Sequence, residues 1–517
     1  MPADFDIGIV GAGFGGALMA MIARRLDKSV VLLEKGAHPR FAIGESSTPL
    51  ANLILEELSR RWDLPRIRPL AKWGTWQKTY PQLACGLKRG FSFFHHLPGR
   101  AWKHQHSHEN ELLVAASPRD EFGDTHWYRA DVDHFLVNEA IREGCEYLDQ
   151  VDLEPPAFAG DIVALGGSRA GKPLRLQVRF LIDASGPRGF LHQKLKVPGE
   201  DFPTMPPTQG LYSHFENVAR FADLNRHDEP PPYPIDDAAV HHVFPGGWIW
   251  VLRFNNGITS AGVAARDELA NLIGFGAGPK PWNRLLSKFA SIHEQFGGAR
   301  PVREFTHAPR LAFRTSRVSA ERWTMLPHTA GFVDPLLSTG FPLNLLGIER
   351  LAETIGLRNM SRFEARLEHY SRQTLAELDF TALLISALYA NMADFELFST
   401  LSLLYFAAAS FSETMRRLGK TPEGFLLQEH AAFGPTSRKI LHAALNQPLL
   451  PQARASLLKN IHSAIEPFDI AGLNDPARRN WYPVLANDLL QNCARLGASE
   501  EQIMTLLARC GWDSTEG

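Results

Sequence analysis

Four residues near the N-terminus carry the clearest chemistry in the chain. Gly11, Gly13 and Gly16 form a GxGxxG run, and Glu34 follows 18 residues after Gly16. Glycines at this spacing allow a tight turn and a close backbone approach to a pyrophosphate. A helix starting there offers free N–H groups and the positive end of its dipole. Glu34 can accept hydrogen bonds from an adenosine ribose and would repel a 2′-phosphate. The chemistry implied is dinucleotide binding, and these residues alone do not separate FAD from NAD.

Such residues work only if a strand, a turn, a helix and a second strand hold them in register. FDIGIV predicts a buried strand, GAGFGG the turn (adding Phe14 and Gly15), ALMAMIARRL a helix, and SVVLLEK a second strand ending at Glu34 and Lys35. A second glycine run at Gly274, Gly276 and Gly278 lacks that frame. A helical stretch precedes it, Pro279 follows, and no helix is expected to lead out, so it is expected to be a loop. The segment IGESSTP, with Ser46 and Ser47, should feed a helix from about Pro49. Residues 80–130 suggest irregular strands, and RADVDHFLVNEAIREG a helix. Residues 161–183 suggest a hairpin ending at Asp183, followed by Ala184, Ser185 and Gly186. The stretch 205–300 is strand-rich, with a turn at Asn255-Asn256-Gly257. A late segment, HTAGFVDPLLSTG, predicts a turn at Asp334-Pro335 and a helix opening near Ser338-Thr339-Gly340; from about 343 the pattern is almost wholly helical. On its own Asp334 is a cap or turn former; in this order along the chain it can bind ribityl hydroxyls of a flavin.

Composition narrows the function classes. The chain has 517 residues, 44% of them apolar and 21% charged, with a net charge of −2, so it presents no basic footprint for nucleic acid. Its four cysteines lie far apart and form no CxxC pair, which fits a reducing compartment. The apolar run Thr400 to Phe411 is shorter than a membrane span and follows Asp394 and Glu396. A soluble cytoplasmic protein without a membrane span is expected.

These motifs together resemble the flavin-dependent halogenases, within the glutathione-reductase-type flavoprotein monooxygenases. The carrying residues are GAGFGG at 11–16, IGESSTP at 43–49, Lys88 in GLKRGFSF, IDASGPRG at 182–189, GFVDPLLSTG at 331–340, and Trp248 and Trp250 in GGWIW. The resemblance covers roughly residues 5–360. It implies an α/β fold: a FAD-binding Rossmann-like domain from segments 1–80, 131–204 and 305–360, substrate-side strands at 81–130 and 205–304, and a helical C-terminal region at 361–517. In that family reduced FAD, supplied by a separate flavin reductase, reacts with oxygen and halide to give hypohalous acid. The acid then reaches a lysine that directs it to an electron-rich aromatic substrate. Lys88 matches that lysine, Thr339 and Gly340 match the halide-holding turn, and Arg129 matches a position that contacts FAD. Without the resemblance Lys88 and Arg129 read as surface cations, and the tryptophans as core.

Two departures stand out. The family's WxWxIP ends here as Leu252-Arg253, and Leu337 stands where tryptophan-type members carry a glutamate. A phenolic, pyrrolic or carrier-tethered substrate is therefore expected rather than free tryptophan. The rivals are a FAD monooxygenase or prenyl-chain reductase of the same fold, and a non-catalytic flavoprotein. His95, His96, His104, His106 and His108 alternate in the manner of a polar loop or strand face, and no metal site is expected.

Overall fold

The computed structural model describes residues 3–512. Its first layer is a parallel sheet in the order Trp323–Met325, Lys172–Asp183, Phe5–Val10, Val30–Leu33, Glu146–Leu148. Val30–Leu33 is buried at all four positions, as expected for a strand covered on both faces. The helix Phe14–Arg25 follows the first strand at once, and its residues Phe14 to Ala23 are all buried. Gly11 has φ +101°, and a Cβ there would lie 2.5 Å from the Ala184 carbonyl oxygen. A Cβ on Gly16 would sit 1.9 Å from the Gly11 carbonyl oxygen. Both positions therefore require glycine, and the crossing of turn and helix over the strand end depends on them.

A second sheet runs in the order Arg300–Pro301, Thr208–Glu216, Thr259–Arg266, Gly247–Arg253, Ala239–Phe244, Gly90–His95, Glu111–Ala115, Trp481–Tyr482. The Asn-Asn-Gly turn joins two of its strands, with Gly257 at φ +80°. A two-stranded ribbon pairs Cys85–Lys88 with Asp124–Trp127 and sets Lys88 opposite Asp124. Helices Gly340–Ile355, Met360–Ala390 and Phe395–Arg417 pack across the two sheets and close one contiguous core.

Three expectations need correction. The Gly274 run does end a helix, Asp267–Ile273, with Gly274 left-handed at its C-terminus, but a second helix, Lys280–Leu286, leads out of it. That helix was illegible because Pro279 reads as a breaker, whereas it stands at the cap of this helix, where proline is well tolerated. The apolar run from Thr400 belongs to a longer helix, Phe395–Arg417, which by length and composition could cross a membrane; 83% of its most apolar window is buried within the fold. The C-terminal region also contributes a strand, Trp481–Tyr482, parallel to Glu111–Ala115.

Candidate functional site

The dinucleotide loop is framed by residues from four parts of the chain. Glu34 accepts hydrogen bonds from the amides of Ala12 and Gly36, both at 3.0 Å, and from Arg40 Nη2 at 2.9 Å. Burial pulls its carboxyl up, but Arg40 and the two amides outweigh that, and its pKa lies below the usual range. Lys35, beside it, is exposed. Arg129 opens the Arg129–Arg142 helix; its guanidinium is paired in two places with Asp133 at 2.8 Å and donates to the carbonyls of Ile43 and Gly44. It lies over the Phe14 ring and is the nearest group, at 3.4 Å, to a Cβ placed on Gly13. Phe14 stacks on Phe341 with centroids 4.6 Å apart. Across the loop, Ala184 is buried, Ser185 closes its own turn through Asp183, and Gly186 (φ +92°) donates to Thr329 Oγ1.

The second half of the site surrounds Lys88. Its side chain is wholly buried, and Nζ donates to Ser47 O at 2.6 Å, to Ser46 Oγ at 3.0 Å and to Ser338 Oγ at 3.5 Å. Ser338 Oγ also donates to Ser46 Oγ at 3.1 Å. The ribbon thus delivers the lysine to a point two residues before Gly340, the first residue of a 16-residue helix. A Cβ on Gly340 would meet nothing within 4 Å, so open space lies before that helix N-terminus, where unpaired amides and the dipole favour an anion. Thr339 beside it is buried. Burial pushes the Lys88 pKa down, and Asp124 across the ribbon opposes that; burial likewise pushes Asp124 up. Asp124 Oδ1 accepts from Asn52, while Oδ2 is buried with no partner.

Two of the residues singled out in the sequence, Asp334 and Ser47, are engaged by the chain itself. Asp334 Oδ1 accepts from Trp248 Nε1 at 3.2 Å and from the Leu336 amide at 3.0 Å, and its Oδ2 from Tyr389 OH at 2.9 Å. The carboxyl is saturated by the chain itself, buried, and pushed up to about 7 by desolvation. Ser47 likewise turns inward: its hydroxyl exchanges hydrogen bonds with the Thr125 backbone, and only its carbonyl serves the site. Trp248 and Trp250 share the inner face of their strand, 5.8 Å apart, with Trp250 Nε1 on Ser260 Oγ. The altered Arg253 points to the opposite face, onto the Val218 and Ala219 carbonyls and Asp236, so it leaves that tryptophan face undisturbed. Leu337 is buried at φ +65° and supplies no acid.

Several residues were missed in the sequence. His328 bridges the Ala184 carbonyl and Asn344 Oδ1, and Asn344 Nδ2 is left buried and unpartnered beside Gly15. Burial pushes the His328 pKa below its ordinary value. Only the tertiary contact marks either residue, since both sit in segments that read as strand end and helix. Beside Lys88 opens a cavity of about 240 Å³ lined by Phe91, Val114, Tyr405, Phe406, Leu489 and Trp512 among others. Phe91 stands at the junction, its ring 3.8 Å from Lys88 Nζ.

Comparison with known proteins places this arrangement. Residues 9–49 match a family described as an NAD(P)-binding Rossmann-like domain. The chain is 29% identical over 410 residues to the monodechloroaminopyrrolnitrin halogenase PrnC of Pseudomonas fluorescens, covering 78% of this chain and 70% of that protein. It is 30% identical over 355 residues to the tetracycline 7-halogenase of Kitasatospora aureofaciens, covering 65% of this chain and 60% of that protein. The fold superposes on the crystal structure of halogenase PltM in complex with phloroglucinol and FAD with a TM-score of 0.80, at 23% identity, over 92% of this chain and 99% of that one.

Proposed function

We propose, for a chain that is a relative of the flavin-dependent halogenases, that it uses reduced FAD, oxygen and a halide to halogenate an aromatic substrate. The residues present fit the cofactor. Around the glycine loop, Arg40 Nε, Tyr147 OH and Asn344 Nδ2 are buried without partners and are free to meet a ligand. Glu34 and Arg40 would hold the adenosine end, Gly13 and Arg129 the pyrophosphate, with His328 and Asn344 further along. Ser46, Ala184, Ser185 and Gly186 border the same groove. Bound FAD supplies, with oxygen, the oxidising equivalent that converts halide to hypohalous acid.

The chain's own part is to hold the halide, guide the oxidant and exclude water. Thr339 and Gly340 present helix amides to the halide. Lys88, whose Nζ reaches Ser338 Oγ at 3.5 Å, would receive hypohalous acid by hydrogen bond, or its neutral amine would take the halogen from the acid's oxygen to give a haloamine and release water. An ammonium has no lone pair for the latter, so the burial that depresses the Lys88 pKa serves the reaction. Asp124, opposite Lys88 on the ribbon and with one oxygen unpartnered, takes the place of the acid absent at Leu337 by acting on the lysine through its charge. The aromatic cavity behind Phe91 accommodates a phenolic or pyrrolic ring, free or tethered to a carrier protein. With one dinucleotide fingerprint in the chain, reduced flavin comes from a separate reductase.

The observation that carries this reading is the complete burial of Lys88 against Ser46 and Ser338, at the mouth of the Gly340 helix. Mass spectrometry of reactions containing reduced FAD, oxygen and chloride or bromide, with a panel of phenols and pyrroles, should show a halogen isotope pattern. Lys88→Met keeps the side-chain volume nearly constant. It should lower halogenation by at least about 100-fold, the scale of a lost acid–base or nucleophilic group, while FAD affinity and oxidation of the reduced flavin stay unchanged. Oxygenated product without halide, unaffected by Lys88→Met, would decide for the monooxygenase instead.

A further inference from the structure

The histidine-rich run HQHSH lies on the connection between strands Gly90–His95 and Glu111–Ala115, and its histidines fold onto acids from elsewhere in the chain. His104 Nδ1 bonds Glu111 Oε1 at 3.1 Å, and Glu111, wholly buried, is shared with His227 Nε2 at 2.8 Å and Trp481 Nε1 at 3.1 Å. A carboxylate that fixes one nitrogen of an imidazole leaves the other as a lone pair of set direction, the arrangement that orients histidine ligands toward metals. His104 Nε2 is that nitrogen. The side chain is 3% exposed, and Nε2 is buried with no hydrogen-bond partner. An unmet imidazole nitrogen in such a place costs free energy unless something binds it.

Ligand atoms of His104, His106 and Glu229 lie within 4.8 Å of one another. His108 bonds Glu229 Oε1 through Nε2 and the Arg479 carbonyl through Nδ1, and it stacks on Trp481 with centroids 3.9 Å apart. With both nitrogens committed, His108 positions Glu229 and leaves Oε2 for a ligand. His104, His108 and Glu111 also lie within 4.8 Å of one another, but these groups already satisfy one another or nearby backbone and tryptophan. Arg479, 3.3 Å from Glu229 Oε1, is the opposing charge; Glu111, Asp228 and Glu229 outweigh it.

We propose that His104, His106 and Glu229 form a zinc site that ties this loop to the 226–229 segment and to the chain entering strand Trp481–Tyr482. Two imidazoles and one carboxylate suit zinc rather than magnesium, and a fourth, solvent-facing position remains for water. Zinc ligands about 2.0–2.1 Å from the ion stand about 3.3 Å apart in a tetrahedron. From separations of up to 4.8 Å the three groups must therefore close by up to about 1.5 Å, within reach because the His106 side chain is 79% exposed and Glu229 39% exposed. Tyr482, in the tied strand, and Leu485 and Leu489, just beyond it, line the cavity beside Lys88. The ion thus braces the cavity's C-terminal wall.

The test uses untagged, full-length, chelator-stripped protein titrated with Zn²⁺ against a chromophoric competitor, with metal content read by mass spectrometry. One zinc per chain is expected, with Mg²⁺ failing to compete, and a rise in Tm on zinc addition. His106→Ala and Glu229→Gln, both at exposed side chains, should each weaken zinc binding by about tenfold or more, the scale of a lost ligand or its support. His293→Ala, at an exposed histidine elsewhere, should not. Zinc below about 0.2 per chain after stripping and reloading, judged against one ion per structural site, overturns the proposal, as does binding unchanged in both variants.

Discussion

Lys88 is the residue on which the functional reading turns, and its position in sequence says little about its situation. A lysine next to an arginine reads as solvated surface, yet here it is completely buried, with hydroxyls and a carbonyl as its hydrogen-bond partners. The sequence exposed the segments that meet there, GESS, GLK and LLSTG, as motifs. It could not expose their meeting, because Ser46 and Ser338 are 292 residues apart. Asp124 was hidden for a related reason: it comes to lie opposite Lys88 only through the ribbon register, which pairs residues 36 apart in sequence. A prediction belongs to this pair. The Asp124 charge raises the Lys88 pKa against the lowering by burial, so Asp124→Asn should depress it further. If the neutral amine is the working form, the acidic limb of the pH–rate profile moves to lower pH in Asp124→Asn. A limb that stays in place or moves upward separates Asp124 from the lysine's chemistry.

At the scale of elements, Asp334 shows how a motif can be recognised while the contacts that hold it stay hidden. The turn was legible, and so was the helix after it, because proline and glycine punctuate both. Illegible was that a strand from one sheet and the Met360–Ala390 helix would converge on the turn, with Trp248 and Tyr389 donating to one carboxyl. Asp334 joins three elements, and burial raises its pKa to about 7. A carboxyl whose folded pKa exceeds its unfolded value of about 3.9 contributes stability that is present below that value and lost as pH rises toward 7. Asparagine at this position is neutral at every pH: its oxygen can accept from Trp248 and Leu336, and its amide can donate to Tyr389. Relative to the wild type, Asp334→Asn should therefore gain stability as pH rises from 4.5 to about 7.5, a span set by those two pKa values, and change little beyond. Urea midpoints of both proteins across that range measure it. A variant that loses ground with rising pH contradicts the assignment.

At the scale of the whole molecule, two binding tasks fall on two layers. The parallel sheet and its glycine loop hold the dinucleotide end, where local signals were strong because a βαβ unit is continuous in sequence. The cavity proposed for the substrate draws on the second sheet, the Phe395–Arg417 helix and the last described turns of the chain, so no single window of sequence could display it. The two layers meet at Lys88 and the Gly340 helix, which makes binding of cofactor and substrate separable by mutation. Ala409 lines the cavity and is only partly buried. Ala409→Phe adds a ring to a space of about 240 Å³ and competes with the substrate for it. The expected outcome is a KM for the aromatic substrate raised by about tenfold, equivalent to about 1.4 kcal/mol of lost binding, with FAD affinity within error of the wild type. Fluorescence titration of the flavin and steady-state kinetics on the halogenated product read the two quantities in one preparation. Weaker flavin binding with an unchanged KM would mean that the cavity belongs to the cofactor and that the substrate approaches Lys88 from another side.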